Sequence, residues 1–324
     1  MRNYKISVHI PFYIDNNIKK NFFFLKKVCK SYLKISKNLE IFIHTNKVVK
    51  KVSKRIKFIY HNFEKDDPYK LTWNCRKLMF SQKDRYEIFI YGEDDIIFSK
   101  KNFNYWLKYK DFCIRNNYNL GFLRTEIKRK SNLLFSTDQV SKIKYYVDLY
   151  KIRFAKLENS YSAFWIYDKK EFKKFTNTKY WRFDYIWKTI SGVRLTREMA
   201  AVGWHGENMS GEGNMNRYKA TIIPLNNCKL NKNSFLKHLS NKYANNPAGL
   251  FGTIPINNIL SKKLIEFTPK NPLYHLILRL KFFIYYIFRF NLKNFIKFFK
   301  LKIILLSGVY FTSKQIIKKI LVSF

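Results

Sequence analysis

Acidic residues are scarce in this chain. Of 324 residues, 22 are Asp or Glu against 63 Lys or Arg, a formal charge of +41. Cysteine is sparse too: Cys29, Cys75, Cys113 and Cys228 lie far apart, with no C-x-x-C pair. That excludes a zinc ribbon and a disulfide scaffold, and it suits a reducing compartment. No stretch reaches the roughly 18 uncharged apolar residues that a membrane-spanning helix needs. The opening MRNYKISVHIPFY enters a strand-like segment without the long apolar core of a signal peptide. There is no internal repeat. The expectation is a soluble, cytoplasmic body.

The excess of base would suit a nucleic-acid binder. However, the lysines are spread along the chain, with Asn, Ile, Phe and Tyr equally over-used, so the charge reflects a whole-sequence bias. This argues against nucleic acid as the primary partner and leaves nucleotide phosphates or an acidic membrane surface. The length exceeds the roughly 100–200 residues of a typical domain, and fits either one large α/β domain with additions or two domains.

What is present centres on Tyr86 to Phe98, YEIFIYGEDDIIF. Ile88 to Tyr91 reads as a strand buried on both faces. Glu93, Asp94 and Asp95 follow, and carboxylates at such a place are costly to desolvate without a positive partner. In an extended chain Glu93 and Asp95 share one side and Asp94 takes the other. Two carboxylates there suit a hard divalent cation that also holds a substrate phosphate. The alternative is an acidic turn paired with some of the abundant lysines.

Around this stretch, strand and helix signals alternate. Strands are expected at Ile6 to Tyr13, Leu39 to His44 and Ile56 to Tyr60, and helices at Ile18 to Leu33 and Leu71 to Phe80. Such alternation predicts a parallel sheet with helices on its faces, binding ligands beyond the carboxyl ends of its strands. His9, Pro11 and Tyr13 fall at that edge together with Glu93 to Asp95. Further on, Phe103 to Ile114 reads as a helix and Leu120 to Glu126 as a buried strand ending in polar residues. Asn159 to Phe175 reads as a strand and then a helix beginning near Asp168. Arg194 to Gly213 holds glycines at 203, 206, 211 and 213 and reads as a mobile loop. His238 to Leu260 is loop-like, rich in Asn, Gly and Pro, and is what a lid over a donor site would be made of.

From Asn271 to Phe324 there are ten Lys or Arg and no acid among dense Phe, Ile, Leu and Tyr. Arg289, Lys293, Lys297 and Lys300 recur at helical spacing, with Leu292, Phe295, Ile296 and Phe299 largely opposite. A basic amphipathic helix of this kind reads as lying in an anionic membrane interface, or as packing on the body or a partner.

LTWNCRKLMF followed by YEIFIYGEDDIIF resembles the region around the D-x-D motif of GT-A-type glycosyltransferases, the nucleotide-diphospho-sugar transferase superfamily. REMAAVGWHG and HLSNKYAN…FGTIP also look like segments of an uncharacterised branch of it. The resemblance covers roughly residues 4 to 260. It implies a Rossmann-like, mostly parallel α/β sheet flanked by helices, with a helical tail appended. The catalytic domain would be 1–268, divided into a nucleotide-sugar half (1–126) and an acceptor half (127–268), and the tail 269–324. It implies Mn²⁺ or Mg²⁺ held by Asp95 and Glu93, the latter standing where Asp is usual, and completed by His238. A UDP- or GDP-sugar donor would be met by His9, Pro11, Tyr13, Arg76, Glu93 and Asp94.

The leaving diphosphate needs neutralising, and an inverting enzyme also needs a carboxylate base. Glu198 is the first candidate, with Asp184 and Glu126 behind it; Glu198 equally reads as a surface carboxylate paired with Arg194 or Arg197. His205 and His238 are expected in polar loops. Trp204, Trp165 and Tyr161 could stack on a sugar or belong to the core. The expected function is glycosyl transfer to a cell-surface polysaccharide or lipid-linked glycan at the inner face of the cytoplasmic membrane. Non-catalytic nucleic-acid binding, or a metal-dependent nuclease or phosphatase, are the alternatives.

Overall fold

The computed structural model describes residues 3–15, 18–49, 53–62, 70–178, 181–182, 197–198, 200–201, 203, 220–246, 249 and 251–267. The tail 269–324, Asp184, Trp204, His205 and most of the glycine-rich segment lie outside these residues.

The described residues form a mixed α/β structure with three sheets and four α-helices. The first sheet is built from β1 (Ile6–Phe12), β2 (Leu39–Thr45), β3 (Ile56–Tyr60), β4 (Ile88–Gly92) and β11 (Phe164–Asp168). Their order is β3-β2-β1-β4-β11. The first four are parallel, whereas β11 runs antiparallel to β4.

Both faces of this sheet are covered, which is why its central strands β1 and β4 are buried along their whole length. Ile6, Val8, Ile10 and Phe12 alternate onto one side, with Ile88 and Ile90, against Leu25, Val28 and Tyr32 of α1 (Ile18–Leu33). On the other side Phe42, Phe89, Tyr91 and Trp165 meet Met79 of α2 (Leu71–Ser81) and Phe172 and Phe175 of α4 (Lys169–Thr176). Gly92 ends β4 where a side chain could not fit, because an added Cβ would lie 2.7 Å from the Tyr32 hydroxyl. The helix α1 therefore seats directly over the carboxyl end of β4. Asp168 caps α4 by accepting from the Glu171 amide at 2.9 Å.

The other two sheets correct the expectation of one mostly parallel sheet. The second has the order β15-β8-β7-β14-β5. It joins β5 (Ile96–Ile97), β7 (Leu123–Lys128), β8 (Leu133–Ser136), β14 (Phe235–His238) and β15 (Ile254–Pro255). Only its β7–β14 pair is parallel. The boundary expected between residues 126 and 127 falls inside β7. The third sheet holds β9 (Ile143–Leu149), β10 (Ile152–Lys156), β12 (Thr221–Asn226), β13 (Lys229–Leu230) and β16 (Leu260–Glu266), with β6 (Asn119–Leu120) beside β12. Between the sheets α3 (Lys100–Arg115) is capped by Ser99. Its Asn102 donates to the carbonyls of Asn233 and Phe235 and so ties the helix to the start of β14. No helix among the described residues is long and apolar enough to cross a membrane.

Candidate active site

The chain passes from the first sheet to the second within three residues, Glu93 to Asp95. This run is a turn, closed by the Ile96 amide donating to the Glu93 carbonyl at 3.3 Å, and not the extended segment expected. It leaves β4 beside β1, where the strand order reverses. In open α/β sheets that reversal opens a crevice outside the carboxyl ends, the usual place for a ligand.

Asp95 leads into β5, which pairs antiparallel with β14 so that Ile96 faces His238. The register places Asp95 against Leu239, whose amide donates to the Asp95 carbonyl at 2.8 Å. His238 thus ends a strand rather than lying in a loop. Its Nε2 stands 2.8 Å from Asp95 Oδ2 and its Nδ1 2.5 Å from Glu126 Oε1. The Ser240 hydroxyl is 2.9 Å from Nε2. Burial pulls the imidazole pKa down, but the flanking carboxylates, Asp95 first, leave it above the ordinary histidine value. Burial raises the Asp95 carboxyl, but the His238 hydrogen bond and the charges of His238, Arg124 and Lys242 together leave it below the usual range.

Glu93 turns toward a different partner. Its Oε2 lies 4.0 Å from Arg124 Nη1, and its Oε1 accepts from the Tyr161 hydroxyl at 3.3 Å. Arg124 is held in place from behind. It donates to Asp138 through Nε at 3.0 Å and Nη2 at 2.5 Å, and its guanidinium lies between the rings of Tyr161 and Tyr243, 5.2 Å from each. Even so, desolvation leaves the Glu93 carboxyl raised. Burial, with Asp95 and Glu93 alongside, pushes the Asp94 carboxyl well above the usual range.

Glu198 comes close to this group. Its Oε2 is buried and has no hydrogen-bond partner among the described residues, while Oε1 is 4.0 Å from Arg197. It is near enough to Tyr161 to help raise that phenol, after burial, Glu93 and Asp138. Residues 93–95, 124–126, 138, 161, 198 and 238 are therefore assembled from six separate stretches of the chain.

Other expected site residues sit apart from this group. His9 is fully buried mid-strand, with Nδ1 3.0 Å from His44 Nε2, Nε2 3.2 Å from Gln82 Oε1, and Phe42 stacked on its ring. Pro11 is buried on the same strand, whereas Tyr13, just past its end, is 46% exposed. Arg76 is buried in α2, stacked on Trp73 and donating to the carbonyls of Trp181 and Ala200. Trp165 is core, stacked on Tyr91 and Tyr167. Arg124, Asp138 and Tyr243 were not anticipated from sequence. Arg124 did leave a signal: it sits two residues before Glu126 on a buried strand, so opposite charges share one face.

Among the described residues no three His, Cys, Asp or Glu side chains are arranged to hold a metal ion by themselves. Asp95 and His238 supply two ligand atoms 2.8 Å apart, with a carboxylate behind the histidine. An N/O pair of this kind fits a Mn²⁺-like ion whose remaining positions are filled by phosphate oxygens and water.

No family model and no curated protein matches the chain. Among solved structures, S. aureus TarS is similar at 15% identity over 53% of this chain and 29% of that one, with a TM-score of 0.31. A structure of TarS residues 1–349 is similar at 12% identity over 52% and 48%, with a TM-score of 0.28. The chain thus spans less than half the length of either. Similarities of this size assign no activity.

Proposed function

We propose that this chain is a divalent-cation-dependent glycosyltransferase of GT-A type using a nucleotide-sugar donor. The observation that carries the reading is the meeting of His238 with Asp95, 2.8 Å apart, at the crevice beside β1 and β4. A residue more than 140 positions away completes an oxygen–nitrogen pair at the place where a phosphorylated ligand is expected. A bound ion there would neutralise the leaving diphosphate. Asp95 and His238 would hold that ion and, through it, orient the anionic end of the donor. Arg124, fixed by Asp138 and two tyrosine rings, adds a pre-set positive charge beside Glu93. Glu198, whose buried Oε2 has no hydrogen-bond partner among the described residues, would be the base that takes a proton from an acceptor hydroxyl. The acceptor would be a polysaccharide or lipid-linked glycan, reached at an anionic membrane through the basic residues 269–324.

The test is calorimetric titration of UDP and GDP with Mn²⁺, Mg²⁺ or chelator. Asp95→Ala is expected to abolish the metal-dependent part of nucleotide binding while keeping a cooperative thermal transition. Unchanged metal-dependent affinity in that variant refutes the reading.

A further inference from the structure

Glu126 lies on β7 and is fully buried. The parallel register that sets Thr125 against Lys237 brings it alongside His238. Both of its oxygens are engaged. Oε1 meets His238 Nδ1 at 2.5 Å, and Oε2 accepts the Ala244 amide at 2.6 Å. With neither oxygen free and no exposure, Glu126 is not placed to take a proton from a substrate.

The turn after His238 is strapped along the same strand. Asn241 Oδ1 accepts the Ile127 amide at 2.9 Å, and Asn245 Oδ1 accepts the Arg129 amide at 3.0 Å. Asn245 Nδ2 donates back to the carbonyls of Ile127 and Asn241. Gly252, at φ +73°, passes so close that an added Cβ would lie 2.5 Å from the Ala244 nitrogen. The ring of Tyr243 stacks on His238 at 5.6 Å. Glu126 is the point where the histidine and the turn carrying its cover are joined.

We propose that Glu126 is a positioning residue that commits the proton of His238 to Nδ1, aims Nε2 at the space shared with Asp95, and fixes the 239–246 turn to that arrangement. The reasoning is chemical. A carboxylate oxygen accepts only, so the nitrogen facing it must donate. Asp95 Oδ2 faces Nε2 at 2.8 Å and likewise only accepts, so the two carboxylates compete for the single proton of a neutral ring. Nδ1 keeps it, because Glu126 is fully buried, whereas Asp95 is partly exposed and Nε2 can accept from the Ser240 hydroxyl at 2.9 Å. Histidines that ligate metals usually donate their other N–H to a carboxylate or carbonyl in this way. The proposal rests on the reading of Asp95 and His238 as an ion-holding pair, but its first readout needs no ion.

That readout is ¹⁵N NMR of the histidine-labelled full chain in chelator, at a pH where the ring is neutral. His238 is expected as the Nδ1–H tautomer, and finding it as Nε2–H overturns the proposal whatever the variants do. In Glu126→Gln only one oxygen remains for two donors. If the amide oxygen stays with Ala244, its NH₂ faces Nδ1 and drives the ring to Nε2–H. The expected result is that tautomer shift together with an approximately 10- to 100-fold loss of Mn²⁺ affinity, measured by electron paramagnetic resonance without nucleotide. Asn245→Ala loosens the same turn without touching Glu126 or His238, and is expected to keep Mn²⁺ affinity within about twofold. Equal losses in the two variants would make Glu126 merely structural and overturn the proposal. The two readings fail separately: an unaltered Asp95→Ala enzyme sinks the metal site, whereas the tautomer of metal-free His238 stands or falls alone.

Discussion

Two buried histidine clusters in this molecule have opposite chemistry. In the first sheet His9 bonds His44, whose Nδ1 stands 2.8 Å from His61 Nε2, and the other end of the row is Gln82. All the partners are uncharged. Burial alone takes His9 down to about 3, and burial with neighbouring histidines takes His44 well below its usual value. At the seam between the sheets His238 is as deeply buried, at 1% exposure, yet stands between Asp95 and Glu126 and has its pKa raised. Burial sets the cost of a charge; the partner decides whether the charge is kept. His9 is thereby a neutral spacer of the core, and His238 a group able to carry a proton.

The largest effect should come from making the same substitution in both clusters. His238→Leu leaves buried Glu126 without its ring partner and is expected to cost about 3–5 kcal/mol in urea unfolding near neutral pH with chelator. His9→Leu strands only neutral groups, Gln82 and His44, and should cost about 1–3 kcal/mol. Equal costs would remove the distinction.

Next comes the direct titration. Histidine NMR signals of the metal-free protein should show His238 titrating above its ordinary value of 6.5, and His9 still neutral at pH 5. A His238 midpoint below 6.5 would break the comparison.

The smallest and subtlest effect is the pH dependence of stability. His238 has a raised folded pKa, so its contribution is complete below about 6.5 and is lost as pH rises through the folded value. For His9 the folded value is lowered to about 3, so its contribution is present above about 6.5 and is lost as pH falls between the two. In unfolding profiles His238→Leu should flatten the alkaline side and His9→Leu the acidic side. A reversed assignment of the two slopes would contradict the structure.

The first sheet was legible in the sequence because its signals are local. Ile56–Tyr60 and the helix Ile18–Leu33 coincide with expectation, and Asp168 begins its helix as the cap that Asp favours. The second and third sheets were not. Ile96–Ile97 and Ile254–Pro255 are two residues each, too short for any alternation to register, and β12 carries a proline. Pairing β7 with β14 joins residues more than 110 apart, which no window of sequence contains. Of the site, the acidic run could be anticipated, though not that it forms a turn, and the family resemblance suggested the partnership of Asp95 with His238. The place of His9 could not, because its strand alternates and position 9 points into the sheet's other face, onto Phe42 of β2 and Gln82 at the end of α2, not the open edge.

The seam at residues 93–95 also sets an order in time. During synthesis the last strand of the first sheet is available once Asp168 has been added, but the amide that completes Glu126 belongs to Ala244, about 76 residues later. At the usual ~5–20 residues per second this is a wait of roughly 4–15 s. Through that interval a nascent chain can hold a finished sheet whose acidic turn still faces water, without histidine or strap. A ribosome-bound chain arrested before His238 should therefore be folded in its first sheet while Asp95 and Glu126 still lack their histidine.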